Sequence, residues 1–188
     1  RERQTQKEDP DNYQPYKAQP SGLLDNMPTF GKGYHLLVDG QLHDESGNRK
    51  GDDTRASEQL MKRLCYKITD HADEIEDVRT AFIDHAKVLV LAYGSVARSA
   101  LSAVRQARDR NLEVGFFQPR ILWPFPEKAL KRILDGVTRI IVPEMNIGKI
   151  VKEVERICPG IDVLSLGKVG GDLHTPQEIL ETIENTDF

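Results

Sequence analysis

Cysteine is scarce: the 188 residues contain two, Cys65 and Cys158, far apart and without a second pair. A cysteine-ligated iron–sulfur cluster or an all-cysteine zinc site built by this chain alone is therefore excluded. A reduced, cytoplasmic setting is the simple expectation. Long apolar runs are absent too. The longest, Val88 to Ala92, falls far short of the roughly 20 residues that span a membrane, so no membrane partner is expected. No signal peptide is expected either, because the first eleven residues are polar or charged apart from Pro10. Charge of one sign is missing as well. With 26 Lys+Arg against 30 Asp+Glu the net charge is -4, and without a basic stripe no nucleic-acid partner is expected. There is no G-x-G-x-x-G, no P-loop lysine and no solenoid repeat. The chain begins with Arg1 rather than Met, so it is expected to be processed or to be a piece of something longer.

What is present divides into three stretches. Residues 1–20 read as a flexible linker, with charges crowding the first eleven positions and prolines at 10, 15 and 20. Tyr13 and Tyr16 stand out there as residues able to dock the strap on a neighbouring surface. Residues 21–52 read as an extended segment with a β-ribbon, in which Tyr34–Val38 turns through Asp39-Gly40 into Gln41–His43. Residues 53–188 read as an α/β domain. Its first helix runs from Asp53 to about His71, followed by an ambiguous stretch to Ala86 with a β-like patch around Val78. From Lys87 four strands alternate with helices. The strands are Val88–Ala92, Leu112–Phe117, Val137–Val142 and Ile161–Leu166; the helices follow Ser95, Pro126, Asn146 and Pro176. Such alternation predicts a three-layer α/β/α domain with a mostly parallel sheet.

In an open sheet of this kind ligands bind past the carboxyl ends of the strands. After the first strand come Gly94 and Ser95, ahead of a helix whose backbone N–H groups suit a phosphate or carboxylate; the plain alternative is a tight turn with Ser95 as N-cap. Arg98 either joins such an anion site or lies in solvent or at a contact. After the third strand come Glu144 and Asn146. Asn146 is a natural N-cap, and Glu144 is an acid, a base or a ribose ligand if it is not a cap or an interface residue. Trp123-Pro124-Phe125-Pro126 is a stiff aromatic loop, folded onto its own core or exposed as a subunit contact. His43-Asp44-Glu45 has metal-ligand letters, but neighbours on a strand point to opposite faces, so a polar hairpin end is expected. In His174-Thr175-Pro176 the last two letters are helix-start signals. No nucleophile–base pair, metal spacing or cofactor fingerprint emerges, so no catalytic residue is assigned.

Taken in order, several motifs resemble the carboxyl-terminal part of the alpha chain of the 2-oxoacid:ferredoxin oxidoreductases, a transketolase C-terminal-like domain. They are Gly31-Lys32-Gly33-Tyr34 with His43-Asp44-Glu45; Ala92-Tyr93-Gly94-Ser95 with Arg98; Ala103–Arg108; Val114-Gly115; Leu122–Pro126; Val142–Gly148; and Gly170-Gly171 through Pro176. The resemblance covers about Pro20 to Glu184 and departs from the family at Lys149, where Gln is frequent. It implies oxidative decarboxylation of a 2-oxoacid, with a lean to 2-oxoglutarate, giving acyl-CoA and reduced ferredoxin. It also implies that thiamine diphosphate, Mg and iron–sulfur clusters belong to the whole enzyme and none to this chain alone. The partners so implied are the preceding thiamine-binding domain of the alpha chain, the beta subunit and ferredoxin. The present residues would then be a non-catalytic domain serving subunit and domain assembly. Two alternatives stand beside this: a stand-alone small-anion or nucleotide-binding module using Gly94, Ser95 and Asn146, and the C-terminal domain of another thiamine diphosphate enzyme.

Overall fold

The computed structural model describes residues 9–24 and 27–186. Two compact units divide the chain, Arg1–Glu74 and Ile75–Phe188. The first long helix belongs to the first unit.

In the first unit the strap does more than link. A 3-10 turn forms at Pro10–Asn12. Tyr16 stacks on His43 with ring centroids 3.9 Å apart, and Tyr13 meets Tyr34 edge to face at 5.2 Å. The Tyr16 hydroxyl donates to the Leu37 carbonyl. Residues 1–8, the rest of the expected linker, lie outside the described residues. The expected ribbon is displaced. No strand forms at Tyr34–Val38, and the observed bridge joins His43 to Arg49. Its turn is Asp44–Gly47. Asp44 Oδ1 accepts the N–H groups of Ser46 and Asn48, and Gly47 takes φ +85°, which glycine adopts without strain. Helix α1 (Thr54–Thr69) starts where Asp53 accepts the N–H groups of Arg55 and Ala56.

The ambiguous stretch resolves into a one-turn helix α2 (Ala72–Ile75) and an edge strand β1 (Val78–Ala81). The second unit then alternates: β2 (Val88–Leu91), α3 (Val96–Asp109), β3 (Val114–Pro119), α4 (Glu127–Lys131), β4 (Arg139–Glu144), α5 (Ile150–Ile157), β5 (Asp162–Gly167) and α6 (Pro176–Glu184). The sheet order is β1-β3-β2-β4-β5, with β1 antiparallel and the rest parallel. The apolar run Val88–Leu91 is buried on both faces, as a central strand must be, while the edge strands β1 and β5 hold only half-buried and exposed residues.

Two cores flank the sheet. On one face Val88, Val90, Phe116 and Ile141 pack with the α3 stripe and with Ile179, Leu180 and Ile183 of α6. On the other, Leu89, Leu91, Phe117 and Ile140 pack with Leu130 of α4 and Val151, Val154 and Ile157 of α5. Each fully buried large side chain contributes about 1.5–3 kcal/mol. The result is the expected three-layer α/β/α architecture. Because β3 and β4 lie on opposite sides of β2, the strand order reverses between β2 and β4. That reversal is the switch point where this architecture takes its ligands.

Candidate functional site

The carboxyl ends of β2 and β4 meet at this switch point and bring Tyr93, Ser95, Met145, Glu144 and Asn146 together. Glu144 ends β4 and is only 1% exposed. Its carboxylate accepts the backbone N–H groups that open α5: Lys149 at 3.1 Å, Ile150 at 2.9 Å and Val151 at 3.0 Å. The Tyr93 hydroxyl and the Asn146 side-chain amide each donate to its Oε2 at 3.1 Å, and Asn146 also donates to the Tyr93 oxygen at 3.1 Å. Asn146 Oδ1 accepts the Gly148 N–H at 2.8 Å. Two glycines admit this fold-back. Gly148 has φ +94°, and a Cβ on Gly167 would stand 2.8 Å from the Asn146 carbonyl oxygen.

Two expectations change here. Asn146 does not cap the helix, which begins at Ile150. It closes the preceding turn, because a loop of three residues separates it from the helix, and Glu144 satisfies the first-turn N–H groups from below. Ser95 precedes α3 with helical dihedrals and makes no side-chain cap hydrogen bond. An N-cap side chain reaches the helix N–H groups only from an extended backbone, and the Ser95 hydroxyl instead faces the Met145 sulfur at 3.9 Å.

Burial alone would raise the Glu144 carboxyl pKa, but the N–H groups of Ile150, Val151 and Lys149 with the Asn146 amide outweigh it and hold it below the ordinary carboxylate range. The Tyr93 phenol is pushed up, first by burial and then by the Glu144 charge and hydrogen bond. Glu144 is thus an ionised anion with five donors on it, and Tyr93 a neutral donor.

The other singled-out residues scatter. Gly94 and Arg98 are exposed. Trp123 is 58% exposed while Phe125 packs against the core on the α4–α5 face, so the aromatic loop divides between the two readings. His43 and Asp44 serve the hairpin. His174 is buried, and Thr175 with Glu178 forms a reciprocal cap at the start of α6. Of the exposed apolar rim the sequence reading named Trp123 alone as a contact candidate. Ile147, 88% exposed, stands on the loop that Glu144 holds, and Met145, Trp123, Val169 and Leu173 are exposed past the same strand ends. They follow the carboxyl ends of β3, β4 and β5, and exposed apolar side chains at one end of a sheet are candidates for a contact surface.

The residues do not fit the cofactors of the implied whole enzyme. The α5 N-terminus already holds the chain's own carboxylate, so a diphosphate has no place there. Among the described residues no three His, Cys, Asp or Glu side chains are grouped to hold a metal ion, and no described helix is long and apolar enough to cross a membrane.

Fold and site therefore define a doubly wound α/β domain whose ligand crevice is closed by the chain itself. Residues 86–179 match the model of the pyruvate:ferredoxin oxidoreductase core domain II, and the chain belongs to that family. It is 37% identical over 97% of its length to the 2-oxoglutarate synthase subunit KorA of Methanothermobacter marburgensis, covering 49% of that subunit. It is 34% identical over 54% of its length to the ketoisovalerate oxidoreductase subunit VorB of Methanothermobacter thermautotrophicus, covering 29% of it. The 2-oxoglutarate:ferredoxin oxidoreductase of Magnetococcus marinus, solved with 2-oxoglutarate, coenzyme A and succinyl-CoA bound, shares the fold. The TM-score is 0.69 at 20% identity, over 90% of this chain and 30% of that one. The chain spans about half the length of the 2-oxoglutarate synthase subunits it matches.

Proposed function

We propose that these 188 residues form the carboxyl-terminal part of the alpha chain of a 2-oxoacid:ferredoxin oxidoreductase and serve its assembly. The observation that carries this reading is the closed switch point: Glu144 fills the place of a ligand, and the loop it holds turns Ile147 and Met145 outward. The chemistry then lies elsewhere in the enzyme, in the preceding thiamine-binding domain and the beta subunit, where thiamine diphosphate, Mg and iron–sulfur clusters act. The reaction is oxidative decarboxylation of a 2-oxoacid to acyl-CoA with reduction of ferredoxin. Identity along nearly the whole chain to 2-oxoglutarate synthase subunits, against half of it to a ketoisovalerate oxidoreductase subunit, supports 2-oxoglutarate as the substrate. Gly94, Ser95, Arg98 and Trp123 then belong to the docking rim, with Glu144 and Asn146 beneath it and Phe125 anchoring the aromatic loop to the core.

The test is reconstitution. The chain is mixed with the separately produced thiamine-binding domain and beta subunit, and coenzyme A-dependent reduction of ferredoxin by 2-oxoglutarate is followed. Activity that needs the chain and falls in Ile147→Asp, with the fold of the variant intact by circular dichroism, supports the reading. Equal activity with and without the chain refutes it, and faster turnover of a branched 2-oxoacid refutes the substrate alone.

A further inference from the structure

The first unit contains a cavity of about 440 Å³, within the range of small-molecule sites. One wall is helix α1. Arg55, Gln59 and Arg63 follow one another at four-residue steps and all three line the cavity, as residues on one helix face must. The other wall is the Tyr16–His43 ring stack. It is fixed from both sides: the Tyr16 N–H donates to the Glu45 carbonyl at 2.9 Å, and His43 Nδ1 lies 3.0 Å from the Asp44 carbonyl oxygen.

The charges in this cavity are unevenly committed. Asp53 is occupied by the α1 N–H groups of Arg55 and Ala56. Asp44 is occupied by Ser46 and Asn48, with Lys50 at 3.7 Å. Neither the Arg55 nor the Arg63 guanidinium has a hydrogen bond or ion pair among the described residues, although carboxylates line the same space. Glu45 is exposed, so the uncommitted side chains are two guanidinium groups against one carboxylate. Unpaired arginines beside already satisfied carboxylates form a site for oxyanions, since the guanidinium fork bonds a carboxylate or phosphate at two points. Eight residues of helix separate the two along about 12 Å of axis, a spacing that suits a ligand with two anionic groups.

We propose that this cavity binds a small molecule carrying two oxyanion groups, held by Arg55 and Arg63. The site is independent of the docking rim, and its failure would leave the assembly reading untouched. Dicarboxylates and diphosphates share the chemistry, so both are probed. The full chain is titrated with succinate and, separately, with pyrophosphate at constant ionic strength, followed by amide NMR and calorimetry.

The expected result is saturable binding of one probe, with amide shifts confined to the strap, the 43–46 turn and α1. Arg55→Gln and Arg63→Gln each weaken it by about tenfold or more, the scale of one lost charge-assisted hydrogen bond. Arg105→Gln, an exposed arginine on the second unit, leaves it unchanged. A response to succinate alone identifies a dicarboxylate site, and one to pyrophosphate alone a phosphate site. The proposal is overturned if neither probe saturates by about 10 mM, weaker than a millimolar site. It is equally overturned if Arg105→Gln weakens binding as much as the two cavity variants, which would mark general charge screening.

Discussion

Replacing Glu144 by Gln keeps the shape of the side chain and removes its charge. The carboxylate has donors on both oxygens. Val151 and Lys149 donate to Oε1; Ile150, Tyr93 and Asn146 donate to Oε2. A glutamine amide offers one oxygen and one NH2 group. If the NH2 takes the Oε1 position, the Val151 N–H loses its acceptor and the Lys149 N–H keeps only a contact of 3.3 Å. The reverse orientation strands three donors. An unsatisfied buried donor costs about 1–3 kcal/mol, and losing an anion at a helix N-terminus costs about 0.3–2 kcal/mol more. We therefore expect Glu144→Gln to destabilise the domain by about 2–4 kcal/mol, read as a lower urea midpoint at an unchanged slope. The deficit carries its own pH signature. The folded-state carboxyl sits below its ordinary value of 4.5, so its contribution is full above that value and is lost as pH falls through the lowered one. Wild type and variant should converge on acidification. A variant within about 0.5 kcal/mol of wild type at neutral pH, the scale of an ordinary surface change, would refute the account of the switch point.

Four further outcomes follow from the same structure. His174 is buried with neither ring nitrogen in a hydrogen bond of good geometry. Burial pushes its pKa below 6.5, the Leu166 carbonyl only partly offsetting it. Stability should be full above pH 6.5 and fall on acidification through the lowered value; a His174→Leu variant that keeps the same slope in that window would show the residue to be uninvolved. Glu178, paired with Lys168 and bonded to the Thr175 N–H, should titrate at about 2 by carbon NMR; an ordinary midpoint would mean the cap of α6 is open in solution. Thr175→Ala should accordingly cost about 1 kcal/mol. Finally, calorimetry of the chain with thiamine diphosphate and Mg should give no heat of binding, whereas tight stoichiometric binding would place the cofactor site here.

The parts legible in the sequence were those whose pattern is local. Four apolar strands and the helical stripes of α3, α5 and α6 follow from period alone, and Thr175-Pro176 states a helix start in adjacent letters. The parts that were not legible depend on partners. Asp39-Gly40 is a good turn dipeptide, but a hairpin also needs two strands that pair. The observed turn at Asp44–Gly47 uses an Asp side chain on its own following N–H groups, an Asp-x-x-Gly signal present in the sequence and outweighed by the dipeptide. The cap of α5 was hidden for a different reason. Capping rules look at the residue beside the helix, whereas Glu144 reaches N–H groups five to seven residues ahead across a loop. Tyr93 joins it from the loop past β2, and no spacing in the chain announces that. Ile147 fits the apolar period of α5 in the sequence, yet the helix begins after it and the side chain is exposed.

The Glu144 carboxylate behaves as a ligand joined to its own receptor by a covalent tether. Its effective concentration at the α5 N-terminus exceeds the millimolar values of flexible linkers, because the tether is a rigid strand end. Free phosphate or carboxylate in solution competes against that and loses. The domain therefore keeps the same conformation whether anionic substrates and products are scarce or abundant around it. A crevice that doubly wound folds offer to ligands is here occupied from within, and on the assembly reading proposed above that constancy suits a fixed mounting.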